Sequence, residues 1–463
     1  MPSTILPEFL MPPSSSPAAN VSPAPAKQMG LASAVAIGIG GMVGGGVYAI
    51  FGSAAHVAGS ALWLSFLAGG LVALATSYNY AKLGARYPTK GGAVEFLVRG
   101  LGDGIVSGGL NIYMWIGYVI ALAMYAAGFA GYLMTFFPHD HPLWLPKAAA
   151  AGAVLLFTLV NVFGAAWVGR SELVTVTVNL AVLSVFAVWG CATADWQGLS
   201  RAGWAEPSGI AFGGGMLFIA YEGFGLVANA AGDMADPPRT LPRALYLSVC
   251  SVIVVYLGVA FAVLGHLPLP RIDAASDYAL SEAAGTFMGK AGFTVIAVGA
   301  LFATAAALNA TLYGAANVCW MIAKDGELPA AFDRLAWKRA PLGLFLTAGL
   351  VLVFVLFFDL SSVAMMGSGA FLFIYAAVAY SHLRLRAATD GRPTLIWLSI
   401  ALCLSLLGVL GSNMYAHSRP AFWTMLGLFP VSFGLEWAYR RATGRRLKVG
   451  LASSATKVPA VNA

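Results

Sequence analysis

Apolar residues run in long windows near 31–54, 60–80, 105–134, 148–167, 172–194, 210–231, 244–265, 293–323, 342–358, 361–383, 394–414 and 421–439, parted by short polar or proline-bearing turns. Roughly 20 apolar residues let a helix cross a bilayer. The pattern therefore predicts an all-α membrane protein with twelve transmembrane helices. Residues 1–28 differ: seven prolines lie among Ser and Ala, too broken for a packed element, and are read as a disordered cytoplasmic tail. The stretch lacks the basic, then apolar, then small-residue order of a cleavable signal, so the window from Leu31 is read as the first span.

Two windows make poor helices at mid-depth. The first contains Gly38-Ile39-Gly40-Gly41-Met42-Val43-Gly44-Gly45-Gly46-Val47. Each interior Gly costs about 1 kcal/mol relative to Ala, so Gly44, Gly45 and Gly46 together predict a local break. Lipid cannot satisfy the peptide groups that a break frees, so they must face protein or a watery cavity. N–H groups of Gly44 to Gly46, opening the second half-helix, suit a carboxylate, and carbonyls ending the first half suit an ammonium or a cation. The competing reading is a packing face, since Gly40 and Gly44, like Gly41 and Gly45, have small-xxx-small spacing. A dinucleotide-binding turn fits poorly, because Val43 stands where its third Gly belongs and no strand pattern precedes it.

The second poor helix lies between Met216 and Ala231, with Glu222, Gly223 and Gly225 at mid-depth. An inverted repeat of five spans would place an interruption there. Paired interruptions in two halves point to a transporter site.

Charge orients the chain. Of its 26 Lys and Arg residues, 21 fall on one side of the predicted membrane, including Lys82, Arg86, Arg239, Arg243, Arg384, Arg386 and the run from Arg440 to Lys457. Lys147, Arg201, Arg271, Lys290 and Arg419 fall on the other. This split predicts both termini to be cytoplasmic. It also explains the net charge of +7 without a nucleic-acid partner, because the cations border spans rather than forming a stripe. Cys191, Cys250, Cys319 and Cys403 have no paired spacing, so neither a disulfide framework nor a metal site is expected.

Glu222 is the most informative ionisable residue, since a charge at mid-bilayer is costly without a partner or a cavity. It could pair with a cationic substrate group or carry a proton; the structural alternative is a hydrogen-bonded Glu. Tyr221, Phe218 and Phe224 flank it and could form an apolar lid, Phe218 as gate, although such rings more often pack. Asn179 is the strongly polar residue of the fifth span, suited to an interhelical hydrogen bond or to ion binding. Thr304, in the eighth, could hold a sodium ion against first-span carbonyls. Asp233, Asp236 and Arg239, with Lys324, Asp325 and Glu327, could pair at an inner gate or be solvated turns. His139-Asp140-His141 is too short for a metal site by itself.

Four ordered motifs resemble those of the amino acid-polyamine-organocation permeases. They are Gly40-Gly-Met42-Val-Gly44-Gly-Gly46-Val47, then Pro88-Thr-Lys-Gly91-Gly92, then Phe218-Ile-Ala-Tyr221-Glu-Gly223-Phe224 with Asp236-Pro-Pro-Arg239-Thr-Leu-Pro242, and lastly Leu308-Asn309-Ala310 through Lys324-Asp325-Gly326-Glu327-Leu328-Pro329. The chain looks most similar to the archaeal and bacterial amino-acid transporters of that superfamily. The resemblance implies a five-plus-five inverted-repeat fold of the leucine-transporter type with two added C-terminal helices, and alternating access to a central amino-acid site. It also implies that Gly44, Gly45 and Gly46 bind the substrate carboxylate. Backbone at Met42, Val43, Ile219 and Glu222 would then receive the amino group, and Phe218 and Ile219 would supply gating bulk. One departure stands out: several similar transporters have a Lys in the fifth span, and Asn179 replaces it here. A neutral amide cannot cycle a proton near neutral pH, leaving Glu222 protonation, a sodium ion near Thr304, or uncoupled exchange.

The expected organisation is a tail over 1–28, a first five-helix repeat over 29–194, a second over 195–388, two helices over 389–440 and a basic tail over 441–463. The expected function is secondary active transport of amino acids across the cytoplasmic membrane. Its closest rival is a carrier of cationic amino acids or polyamines that uses Glu222. No ATP-binding motif, cofactor or metal is expected, only a proton or sodium gradient; the oligomeric state is open. An integral-membrane enzyme would need clustered catalytic groups, yet all six His lie at span ends or in loops. A substrate sensor would want a sizeable soluble domain.

Overall fold

The computed structural model describes residues 29–89, 91–138, 140, 142–163, 168–325, 335–337 and 340–443. The expected tails over 1–28 and beyond 443, Lys90, His139, His141 and the loop over 326–334 lie outside the described residues. So do the side chains of Lys324 and Asp325.

The first apolar window forms two helices, α1 (Leu31–Val43) and α2 (Gly46–Ala58), meeting at a 43° bend. There follow α3 (Leu62–Arg86), the short α4 (Ala93–Leu101), α5 (Ile105–Met134), α6 (Leu145–Phe163) and α7 (Val168–Thr193). Next come α8 (Pro207–Leu217), α9 (Gly225–Asn229), α10 (Pro237–Leu264), the short α11 (Leu269–Ala274) and α12 (Ala279–Phe287), and the long α13 (Gly289–Asp325). The chain closes with α14 (Leu342–Phe357), α15 (Leu360–Arg384), α16 (Arg386–Thr389), α17 (Pro393–His417) and α18 (Arg419–Thr443). A short antiparallel pair, Leu335–Trp337 with Ala340–Pro341, departs from the expected all-helical chain.

Among the described residues, nine helical segments are long and apolar enough to cross a membrane, and the bent pair α1–α2 makes ten. α14 is shorter, with 16 residues. α18 has the length, but Glu436, Arg440 and Arg441 make it polar. The centre of the bundle is α5, α15 and the α8–α9 segment, each more than four-fifths buried over its apolar stretch, whereas α6, α7 and α17 bury 28% of theirs. Outward-facing Val174, Val178, Val188 and Trp189 on α7 follow from that outer position: in lipid an exposed apolar face needs no cover.

The second interruption differs from the expected break. Between α8 and α9 the chain tightens into a 3₁₀ coil from Phe218 to Phe224 without a sharp bend. Glycine explains how closely it lies against α1. A Cβ on Gly41 would stand 2.7 Å from the Gly223 carbonyl, and one on Gly223 would overlap the Gly41 backbone. Two bare backbones thus touch at mid-membrane.

Candidate site between the bent first span and the tightened sixth

Peptide groups freed at the two interruptions find partners on neighbouring helices. The Tyr256 hydroxyl, from α10, lies 2.7 Å from the Met42 carbonyl and 3.2 Å from that of Ala220, linking both irregular segments. Asn179 Nδ2 donates to the Val43 carbonyl at 2.8 Å, and its Oδ1 accepts from the Tyr48 hydroxyl at 2.6 Å. Ser368 Oγ accepts from the Ile219 N–H and donates to the Met216 carbonyl, both at 2.9 Å. Tyr375 donates to the Glu222 carbonyl at 2.9 Å. Buried backbone groups demand such partners, and in hydrocarbon only protein can supply them.

The exceptions lie together. Among the described residues, the N–H groups of Gly44, Gly45 and Gly46 donate to no protein acceptor. They stand at the start of the 13-residue α2, where partial positive charge collects. Nearby is a cavity of about 60 Å³. Its walls are Val43 and Gly44 at the bend, Tyr118 and Tyr125 on α5, Asn179 on α7, Glu222, and small residues of α13 such as Ala307. The lining runs on through Leu226 and Asn229 toward the membrane edge where α10 begins. Gly92 abuts that end: its φ is +50°, and a Cβ there would overlap Asn229 Oδ1. Gly92 of the Pro88–Gly92 motif thus allows the loop to meet the cavity's rim.

Glu222 is 4% exposed and lines the cavity. Tyr118 lines the same cavity beside its carboxylate, and Oε1 has no partner. A buried carboxylate oxygen without a donor is costly, and a cation entering the cavity would supply one.

The remaining sequence candidates fall elsewhere. Phe218 and Tyr221 are fully buried and do not line the cavity: Phe218 packs edge-on to Tyr375 with ring centroids 5.7 Å apart, and the Tyr221 hydroxyl donates to the Phe66 carbonyl at 3.0 Å. Ile219 is buried with its side chain toward Gly367. Of the backbone positions expected to receive an amino group, the Met42, Val43 and Glu222 carbonyls already accept the hydrogen bonds named above, while at Ile219 it is the N–H that is bonded, to Ser368. Each carbonyl keeps a second lone pair. Thr304 is buried near Gly45, yet its hydroxyl donates to Ala300 at 2.7 Å on its own helix rather than reaching a first-span carbonyl. Asp236 and Arg239 pair locally at 3.7 Å, both well exposed, as a solvated turn would.

Sequence reasoning passed over Tyr48, Tyr118, Tyr256, Ser368 and Tyr375. Their signal was available: tyrosines far from the membrane interface, where that residue gathers, need a buried partner for the hydroxyl.

Comparison with known proteins gives the family. The family model described as amino acid permease matches residues 29–431. An uncharacterised protein of Methanocaldococcus jannaschii is 36% identical over 420 residues, covering 90% of this chain and 97% of its own. The inner membrane transport protein YbaT of Escherichia coli is 32% identical, covering 86% and 93%. Cationic amino acid transporter 7, chloroplastic, of Arabidopsis thaliana is 28% identical, covering 85% and 72%.

Proposed function

We propose, because this chain belongs to the amino acid permease family, that it binds an amino acid between the bent first span and the tightened sixth and carries it by alternating access. Membership makes it a multi-pass membrane transporter. The substrate, its coupling and the route are our reading. One observation carries it: the run of unpartnered N–H groups that begins at Gly44, and the Glu222 carboxylate whose Oε1 has no donor, meet at one cavity that Gly44 and Glu222 both line. The first suit a carboxylate and the second an ammonium.

The same observation favours a substrate with a further cationic group as the second reading. Tyr256, Asn179 and Tyr375 already donate to carbonyls at the interruptions, whereas Glu222 Oε1, a charged side-chain acceptor in the cavity wall, has no donor.

Coupling, on this reading, runs through a proton on Glu222. The fifth-span position holds a neutral amide bonded at both ends, and Thr304 is not among the residues lining the cavity. Glu222 is the carboxylate that lines the cavity. We further read the fold as twelve spans, α14 and α18 included, in two inverted five-helix repeats plus two helices. We read the membrane edge bearing Lys82, Arg86, Arg243 and Arg384 as cytoplasmic, a reading supported by the excess of cations there.

Proteoliposome uptake of a labelled panel of neutral and cationic amino acids and putrescine, under separate proton and sodium gradients, tests this reading. Accumulation of an amino acid under the proton gradient, lost in Glu222→Gln, is expected. Accumulation under sodium alone, or uptake untouched by Glu222→Gln, would refute the assigned role of Glu222. Preference for arginine or putrescine selects the second reading.

A further inference from the structure

A second recess lies on the outer wall, away from the substrate cavity. It has a volume of about 490 Å³ and is lined by Lys82 and Arg86 of α3, Pro242 and Tyr246 of α10, and Thr389 and Asp390 after α15. Three span ends converge here: α3 ends at Arg86, α10 begins at Pro237, and α15 gives way to α17 through residues 385–392. Convergent span ends fix the depth at the headgroup layer. Tyr78 and Tyr246, also in the lining, lie about 12–14 Å further in along their helices at 1.5 Å per residue, at the start of the hydrocarbon.

Charge and shape then define an occupant. Lys82 and Arg86 are one turn apart on the same face, and neither forms an ion pair among the described residues, although Asp390 lies in the same recess. Arg86 Nε donates to the Ala388 carbonyl at 3.1 Å, which fixes the guanidinium and leaves its terminal N–H groups to point elsewhere. The back wall is rigid. The Arg392 N–H donates to the Tyr78 hydroxyl at 2.8 Å, and buried His382 bridges Asn79 at 2.8 Å and Thr389 at 3.0 Å. From the recess an apolar track continues along α10 through exposed Leu247, Cys250 and Val254.

We propose that this recess binds an anionic phospholipid, its phosphate held by Lys82 and Arg86 and its acyl chains lying along Tyr246, Leu247 and Val254. A basic pocket between span ends attracts phosphate headgroups; the adjoining apolar track selects a lipid over free phosphate. The site shares no lining residue with the substrate cavity.

Native mass spectrometry of the full chain in detergent, titrated with phosphatidylglycerol and phosphatidylcholine, tests the proposal. Wild type should retain phosphatidylglycerol preferentially. The apparent affinity should fall about fivefold for each cation removed and about 25-fold in Lys82→Gln/Arg86→Gln, while Arg201→Gln, on the opposite edge, changes nothing. If the double variant does not fold, Lys82→Gln alone should show the fivefold loss. Equal retention of both lipids, an unchanged double variant, or displacement of phosphatidylglycerol by excess inorganic phosphate would overturn it.

Discussion

The Asn179 side-chain amide lies 2.8 Å from the Val43 carbonyl, the last residue of α1 before the chain bends. Its oxygen takes a 2.6 Å hydrogen bond from Tyr48 on the far side of the bend. One neutral side chain therefore closes both halves of the first span against α7. In Asn179→Ala the buried Val43 carbonyl and Tyr48 hydroxyl lose their partners, each at about 1–3 kcal/mol. A lower unfolding temperature in detergent and weaker uptake are expected; an unchanged melting curve would show that the contact is not stabilising.

Asn179→Lys places a titratable donor at the same carbonyl. Its charged and neutral forms differ by a full charge, and buried lysines change protonation readily. Uptake by the variant should therefore vary with pH more steeply than wild type. Superimposable pH profiles would argue against any link between this position and the bend.

Tyr256→Phe removes the hydroxyl that reaches both Met42 and Ala220. The ring still fills its place against Phe66 and Tyr221, so packing is retained and the backbone partner is lost. Stability should fall by about 1–3 kcal/mol, and substrate affinity should fall with it, because the irregular segments lose their shared anchor. Thermal unfolding with and without substrate separates the two effects.

Gly223→Ala forces a methyl into the Gly41 backbone, which helices packed this closely cannot admit without separating. Misfolding or loss of uptake is expected. Gly408→Ala, where a Cβ meets nothing within 4 Å, should behave as wild type. Size-exclusion profiles of the two variants provide the comparison.

Arg440 bonds the fully buried Glu436 and, at 2.9 Å, Asp103 at the start of α5. Removing one partner of a buried ion pair strands the other charge, at roughly 3–5 kcal/mol. Arg440→Gln should therefore destabilise the chain far more than Arg239→Gln, whose pair with Asp236 is exposed and worth about 1 kcal/mol or less. Equal unfolding temperatures would refute the distinction.

Much of this architecture was legible in the residue order, and the reason is physical. Transfer into lipid is summed residue by residue along a window, so the stretch from Ile105 to Met134 announces α5 with no knowledge of its neighbours. Gly44 to Gly46 likewise reveal a bend, because helix propensity is local. The sixth segment was harder. Glu222 and Gly223 mark an irregularity, but whether the backbone breaks or tightens into a 3₁₀ coil depends on what accepts its bonds, and Ser368 and Tyr375 supply that from α15.

The chain's order by itself determined an almost wholly helical membrane protein, the bend at Gly44 to Gly46, an irregularity around Glu222, and Glu222 as a charge needing an explanation. Only the tertiary structure decided which freed peptide groups are already satisfied. The partners of Val43 and Met42 lie 136 and 214 residues away, and no local pattern encodes a hydrogen bond over such a separation. Packing brings Asn179 and Tyr256 to the bend, and leaves the three glycine N–H groups and one carboxylate oxygen without a protein partner among the described residues.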